Sequence, residues 1–263
     1  MTKNALTTLD FSQLQTRKTN LAQYASTNSF LRRIELCGGN AYAKQGKIAP
    51  GNIGIPISKE EVKDLGKSVD LYLFAVRDKC LDLHGDKPLA VFDTTNPEYE
   101  RIFWEAYDRD KYEEAGGEYD ENGLPASPTV KLVVIKGANN SMTGYMQGPS
   151  FLVFERSTGE FYELYCSNAS HRAEAKNMGL FLAVDDQLAE ETGVEARGPI
   201  PCTFKGKFKD GGDFQYWVPV VTKCSEPFDN LPTMEIIAAQ INKFLAAEIE
   251  GQDEEAEEGE RAR

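Results

Sequence analysis

Two runs of β-forming residues, 151–156 and 160–165, flank the triplet Ser157-Thr158-Gly159. A three-residue connection that holds glycine folds a strand back on itself, because glycine reaches positive φ without a Cβ clash. A chain with this feature is committed to antiparallel pairing there. A second hairpin reads from residues 201–209 through Asp210-Gly211-Gly212 and back along 214–224. Further strands are predicted at 30–36, 69–76, 88–93 and 130–136, all rich in β-branched, leucine or aromatic residues. A short helix opens at Asn96-Pro97, with Pro97 near the first helical position. Residues 170–184 have helical period through Ala173, Met178, Phe181 and Leu182, with Ser170 as a candidate N-cap. Residues 233–249 form an amphipathic helix with Met234, Ile237, Ile241, Phe244 and Leu245 on one face. The class that follows is α+β and β-rich, with a central antiparallel barrel or strongly curved sheet.

Around that centre the chain divides by composition. Residues 1–28 read as a loose arm, and 29–249 as one globular domain with a peripheral β-containing region before residue 130. The Gly- and Lys-bearing stretch 38–54 reads as a surface loop. Residues 108–125 carry charge with few apolar anchors and are expected to be mobile, as is the acidic tail 250–263.

Net charge is −13, which at first argues against a nucleic-acid partner. Its distribution changes that. Residues 108–123 carry −5 and residues 248–263 carry −6, so the rest of the chain carries only −2. Nucleic acid needs a local groove of positive potential rather than a positive total. The five cysteines are widely spaced and form no C-x-x-C pair, which suits free thiols in a reducing, cytoplasmic compartment better than a disulfide framework or a zinc site. No apolar run approaches the roughly 20 residues that span a bilayer.

The order strand 130–136, hairpin 151–166, helix 170–184, hairpin 201–224 is that of an oligonucleotide-binding barrel, which carries one helix between its third and fourth strands. Side chains alternate along a strand, so Lys205, Lys207 and Lys209 share one face and Phe204, Gly206 and Phe208 the other. Lysines in a row can follow phosphates, and an exposed aromatic beside them can stack a base. Trp217 and Tyr216 on the returning strand are the candidates. The same alternation also suits an edge strand shielded by lysines. Tyr162 and Tyr165 are further candidates for stacking, or for core. Arg32, Arg33, Lys44 and Lys47 add positive charge near the Gly-rich stretch.

With a barrel-like body over residues 130–224 and the acidic run 253–258 beyond it, the chain resembles the single-stranded DNA-binding proteins of tailed bacteriophages. The resemblance is one of layout, and the chain's last residues, Glu260-Arg261-Ala262-Arg263, lack the terminal aromatic that some of those proteins carry. It implies a partner of single-stranded DNA, or RNA, work in phage replication or recombination in the host cytoplasm, and an acidic tail that competes for the basic groove or docks replication proteins.

Enzyme signatures are absent. There is no G-x-x-x-x-G-K-[ST] and no G-x-S-x-G, and His84 and His171 are the only histidines. His171, near a helix start, reads as a surface or capping residue. A protein without catalytic residues, metal or cofactor is expected. Two alternatives stay open. One is an interaction protein or viral structural factor, with the aromatics in a core or a protein interface. The other is a metal-dependent nuclease drawing on Asp70, Asp78, Asp82, Asp86 or Asp93.

Overall fold

The computed structural model describes residues 31–38, 41–58, 60–84, 88–135, 144–167, 169–193, 198–210, 215–225, 229–247 and 249–250. The arm 1–28, the stretch 251–263, Asp86 and the hairpin turn 211–214 lie outside these. The protein is α+β and strand-rich, with a three-stranded and a seven-stranded antiparallel sheet. Its elements in chain order are β1 (Glu35–Cys37), α1 (Ala41–Lys44), β2 (Asn52–Pro56), β3 (Val62–Gly66), β4 (Ser68–Asp82), β5 (Leu89–Val91), α2 (Pro97–Ala106) and α3 (Arg109–Glu114). There follow β6 (Tyr145–Glu155), β7 (Glu160–Tyr165), α4 (Ala169–Glu191), β8 (Ile200–Asp210), β9 (Gln215–Lys223), α5 (Met234–Ala246) and β10 (Ile249–Glu250). The chain forms two compact units, one of Met1–Val76, Phe151–Tyr165 and Ser170–Leu245, the other of Arg77–Ser150, Cys166–Ala169 and Ala246–Arg263.

In the first unit the strand order is β9-β8-β4-β6-β7. β8 pairs with β4 from Ser68↔Lys205 to Leu73↔Ile200, and with β9 from Cys202↔Lys223 to Asp210↔Gln215. The outer side of β7 takes residues 32–34: Ile34 N donates to Glu163 O at 2.9 Å and Glu163 N to Arg32 O at 2.9 Å. Among the described residues β9 pairs with β8 alone, so the strands do not close into the expected barrel. Tyr72, Phe74, Ala75, Leu152, Phe154, Ile237 and Phe244 form a core cluster, edged by Met234, Ile241 and Phe161. The apolar face expected of the last helix therefore lies where its period put it, except that Leu245 is exposed.

The stretch 38–54 expected as a loop holds the short helix α1 and ends in β2, which begins at Asn52 and whose Ile53 and Ile55 are fully buried. β2 pairs with β1 and β3. Short strands holding Gly54 and Pro56, with a polar partner in β3, give little β signal of their own.

In the second unit β4 pairs with β5 from Cys80↔Val91 to Asp82↔Leu89, and β5 with β10. Helix α2 starts as its sequence dictates: the Asn96 side chain accepts from Glu98 N at 2.9 Å and Pro97 occupies the first turn. Tyr99, Ile102, Phe103 and Ala106, spaced for one helical face, pack with Cys80 and Val91.

Two expectations fail in this unit. Residues 130–135 form no strand. Val134 makes one isolated bridge with Tyr107, Val133 O accepts from Asp108 N at 2.8 Å, and Val133, Val134 and Ile135 are exposed. A β-rich run without a partner strand stays irregular, because β propensity expresses packing against neighbours. The acidic segment, in turn, is folded. Asp108 caps α3 by accepting from Lys111 N, and Tyr112 is wholly buried. Its hydroxyl donates to Glu118 O at 2.7 Å and accepts from Ser127 N at 3.2 Å. Asp120 closes the following turn by accepting from Asn122 N and Leu124 N. Buried Tyr112, with Leu124 packed in the α2 cluster, supplies the anchor that the net charge obscured.

Candidate nucleic-acid interface

The β8–β9 hairpin carries the residues that the sequence singled out, and its register sorts them by face. Directly opposed residues of an antiparallel pair share a face. Lys205 opposes Val220, Lys207 opposes Val218 and Lys209 opposes Tyr216. The three lysines are exposed, and among the described residues no carboxylate pairs with them. At the sheet's spacing of about 3.4 Å per residue, alternate lysines stand about 7 Å apart. Tyr216 closes the row at 44% exposure. Val218 is buried although it shares this face, consistent with lysine stems covering it while their ammonium groups reach water. Further along the same face, Thr203 Oγ1 donates to Asp70 Oδ1 at 3.1 Å and Arg156 pairs with Asp70 at 3.5 Å.

Trp217 faces the other way. It opposes Phe208, with ring centroids 5.4 Å apart in an edge arrangement. Beneath it lie two glycines. A Cβ on Gly51 would stand 2.4 Å from the indole, and one on Gly38 would stand 2.8 Å from Trp217 Cβ. Gly51 has φ +87, and its N–H donates to Cys37 O at 3.0 Å. Trp217 therefore sits across both ends of the segment 38–51, which carries the exposed Lys44 and Lys47. Gly206 fits the same approach, since a Cβ there would stand 2.4 Å from Gly51 O. The glycine between Lys205 and Lys207 is thus a close-packing residue on the inner face. Trp217 and the lysine row, grouped from the sequence, are on opposite sides of the hairpin.

The remaining candidates are separate from this face. Tyr162 is buried at 1% exposure, with its hydroxyl donating to Glu160 at 2.7 Å and Arg32 over its ring at 5.6 Å. Burial and the nearby Glu160 carboxylate push its phenol up to about 12. It is core, not a stacking platform. Arg32 pairs with Glu160, and Arg33 pairs with Glu163 at 3.5 Å and lies 5.7 Å over the half-buried Tyr165. Both arginines fasten residues 32–34 to β7.

At Lys205 strand β8 is interior, flanked by β4 and β9, so shielding of a sheet edge does not explain that lysine. Beyond Lys205 the pairing with β4 ends, so at Lys207 and Lys209 β8 has β9 as its one described strand partner and the edge reading keeps its force. The edge of β9 is partly covered by helix α4. Val221 N donates to Glu174 Oε1 at 2.6 Å, and Lys223 pairs with Asp185. His171 is half-buried in the first turn of α4, and burial lowers its imidazole to about 4, which keeps the ring neutral.

Three of the aspartates considered for a metal are engaged by other partners. Asp70 serves Arg156 and Thr203. Asp82 accepts from His84 N and pairs with Arg101 at 3.0 Å, and Asp93 holds the Thr95 backbone and hydroxyl. Among the described residues no three metal-ligating side chains come together. No described helix is long and apolar enough to cross a membrane. Comparison with protein-family models, curated proteins and solved structures returned no match.

Proposed function

We propose that this protein binds single-stranded nucleic acid, DNA foremost, along the outer face of the β8–β9 hairpin. The observation that carries the reading is the row Lys205, Lys207 and Lys209, exposed on one face and ended by Tyr216. The lysines take successive phosphates, and Tyr216 stacks a base at the end of the row. Trp217 has an indirect part, holding the segment with Lys44 and Lys47 against the other side of the hairpin. Arg32, Arg33, Tyr162 and Tyr165 leave the candidate interface.

Strand order supports an oligonucleotide-binding ancestry for the first unit. β4, β6 and β7 are successive neighbours in the sheet, with β5, α2 and α3 inserted in the chain between β4 and β6; α4 follows β7, then β8 and β9, and β4 neighbours both β6 and β8. That is the barrel's order, with β4 as first strand in place of residues 130–136. On this reading the barrel is open, because β7 takes residues 32–34 where a closed barrel would take β9.

The acidic run 253–258 is proposed as a competitor for the lysine face, and as a dock for other replication proteins of a phage system. Fluorescence anisotropy with a labelled homopolymer oligonucleotide tests both parts. The parent binds with an affinity that falls as salt rises, and deleting residues 251–263 tightens binding most at low salt, where charge competition is least screened. Absence of binding by parent and deletion alike would refute the nucleic-acid reading, and equal affinities at every salt concentration would refute the tail's part in it.

A further inference from the structure

Helix α4 has two apolar faces. Ala175, Met178, Leu182 and Ala189 are buried. On the opposite side Leu180, Val184 and Leu188 are exposed at 59%, 56% and 56%. Three large aliphatic side chains in a row on one solvent face are unusual for a polar surface helix. Their spacing of four residues makes them a single ridge, which Lys176 begins. The neighbouring ridge is Ala175, Gly179, Ala183, Gln187 and Glu191, and in its middle the small residues leave a shallow groove. A Cβ on Gly179 would meet nothing within 4 Å.

We propose that this ridge is a two-fold contact with a second copy of the chain, the two α4 helices crossing antiparallel at Val184. Ridges of the i±4 kind interdigitate at a crossing angle of about −50°, with the ridge of each helix over the Gly179–Ala183 groove of the other. A two-fold contact must be self-complementary, and this surface is. With the axis at Val184, Leu180 of each copy meets Leu188 of the other. The charges agree as well. Lys176 stands at one end of the stripe and Glu190 and Glu191 at the other, all exposed. An antiparallel crossing brings Lys176 toward Glu191 of the second copy, whereas a parallel one would set like charges together. One helix crossing buries little area, so the dimer is reversible and depends on concentration. The inference stands apart from the nucleic-acid reading, since the lysine row takes no part in it.

Sedimentation velocity on the full chain over a wide concentration range is the test. The parent moves from monomer to dimer values as concentration rises, and Val184→Glu stays monomeric with unchanged circular dichroism. Two cysteine variants fix the geometry. Under mild oxidation Val184→Cys, on the axis, gives a disulfide-linked dimer. Glu191→Cys does not, because its two copies would lie about 21 Å apart along the helix. A parent that is monomeric at every concentration, or equal cross-linking of the two cysteine variants, would overturn the proposal.

Discussion

Tyr216 lies directly across the β8–β9 ladder from Lys209, while Trp217, one residue on, opposes Phe208 on the other side of the hairpin. A single step in register separates a side chain that can meet a ligand from one that holds the fold. The two aromatics should therefore respond differently to removal.

Trp217→Ala should destabilise the first unit by about 2 kcal/mol, below the range for a fully buried tryptophan because the ring is only half-buried. Urea denaturation measures it, and proteolysis within residues 38–51 should accelerate in the same variant. Gly51→Ala should act in the same direction, since alanine there meets the indole at a positive φ. Parent-like stability of Trp217→Ala would remove the anchoring role.

Tyr112 is the fixed point of the acidic segment. Tyr112→Phe leaves the Glu118 carbonyl and the Ser127 N–H without their hydroxyl partner, at a cost of about 1–3 kcal/mol. Tyr112→Ala should cost about 3–5 kcal/mol and open residues 113–125 to protease. The parent should resist cleavage there. Rapid cleavage of the parent at those residues would mean that Tyr112 does not hold the segment.

The uneven legibility of the sequence has physical causes. The hairpins were readable because their turns are local: Ser157-Thr158-Gly159 and Asp210 with its glycines announce themselves. Helices α2, α4 and α5 were readable from period, and α2 also from its Asn96 cap. Helix α4 begins at Ala169, so Ser170 lies within its first turn and is not the N-cap expected of it, and the helix runs on to Glu191. Strand identity at residues 130–136 was not, because a valine-rich run becomes a strand only when another strand is in reach. Alternation along β8 showed that the lysines share a face. It could not show which of Tyr216 and Trp217 joins them, since that depends on a register set across the turn. Nor did charge counting reveal the order of residues 108–125, which rests on buried Tyr112 and Leu124.

His171 makes stability depend on acidity. Burial keeps its ring neutral to about pH 4, whereas an unfolded histidine titrates near 6.5. Between those values the unfolded chain binds a proton that the folded chain does not, so stability falls as pH falls through that window and gains no further loss from this group below it. His171→Gln should flatten the slope by at most about 1.4 kcal/mol per pH unit. Urea midpoints at pH 7, 5.5 and 4.5 measure the difference, and parallel pH profiles would contradict it.

Tyr216→Ala should weaken single-strand binding by about 1–3 kcal/mol with little change in salt dependence, because stacking releases few counterions. The ring is exposed, so the fold should persist. Fluorescence anisotropy at two salt concentrations separates this from a loss of charge. Affinity equal to the parent's would take Tyr216 out of the interface.

The most direct measurement is the salt dependence of oligonucleotide affinity for the parent and for the variant in which Lys205, Lys207 and Lys209 are all replaced by alanine. Each phosphate contact contributes about 0.7 to the slope of log affinity against log salt on single strands. If the three lysines each hold a phosphate, the folded triple variant binds more weakly at low salt and its slope is shallower by about 2. A triple variant with the parent's affinity and slope, or a parent that binds no oligonucleotide at low salt, would contradict the assignment of this face to nucleic acid.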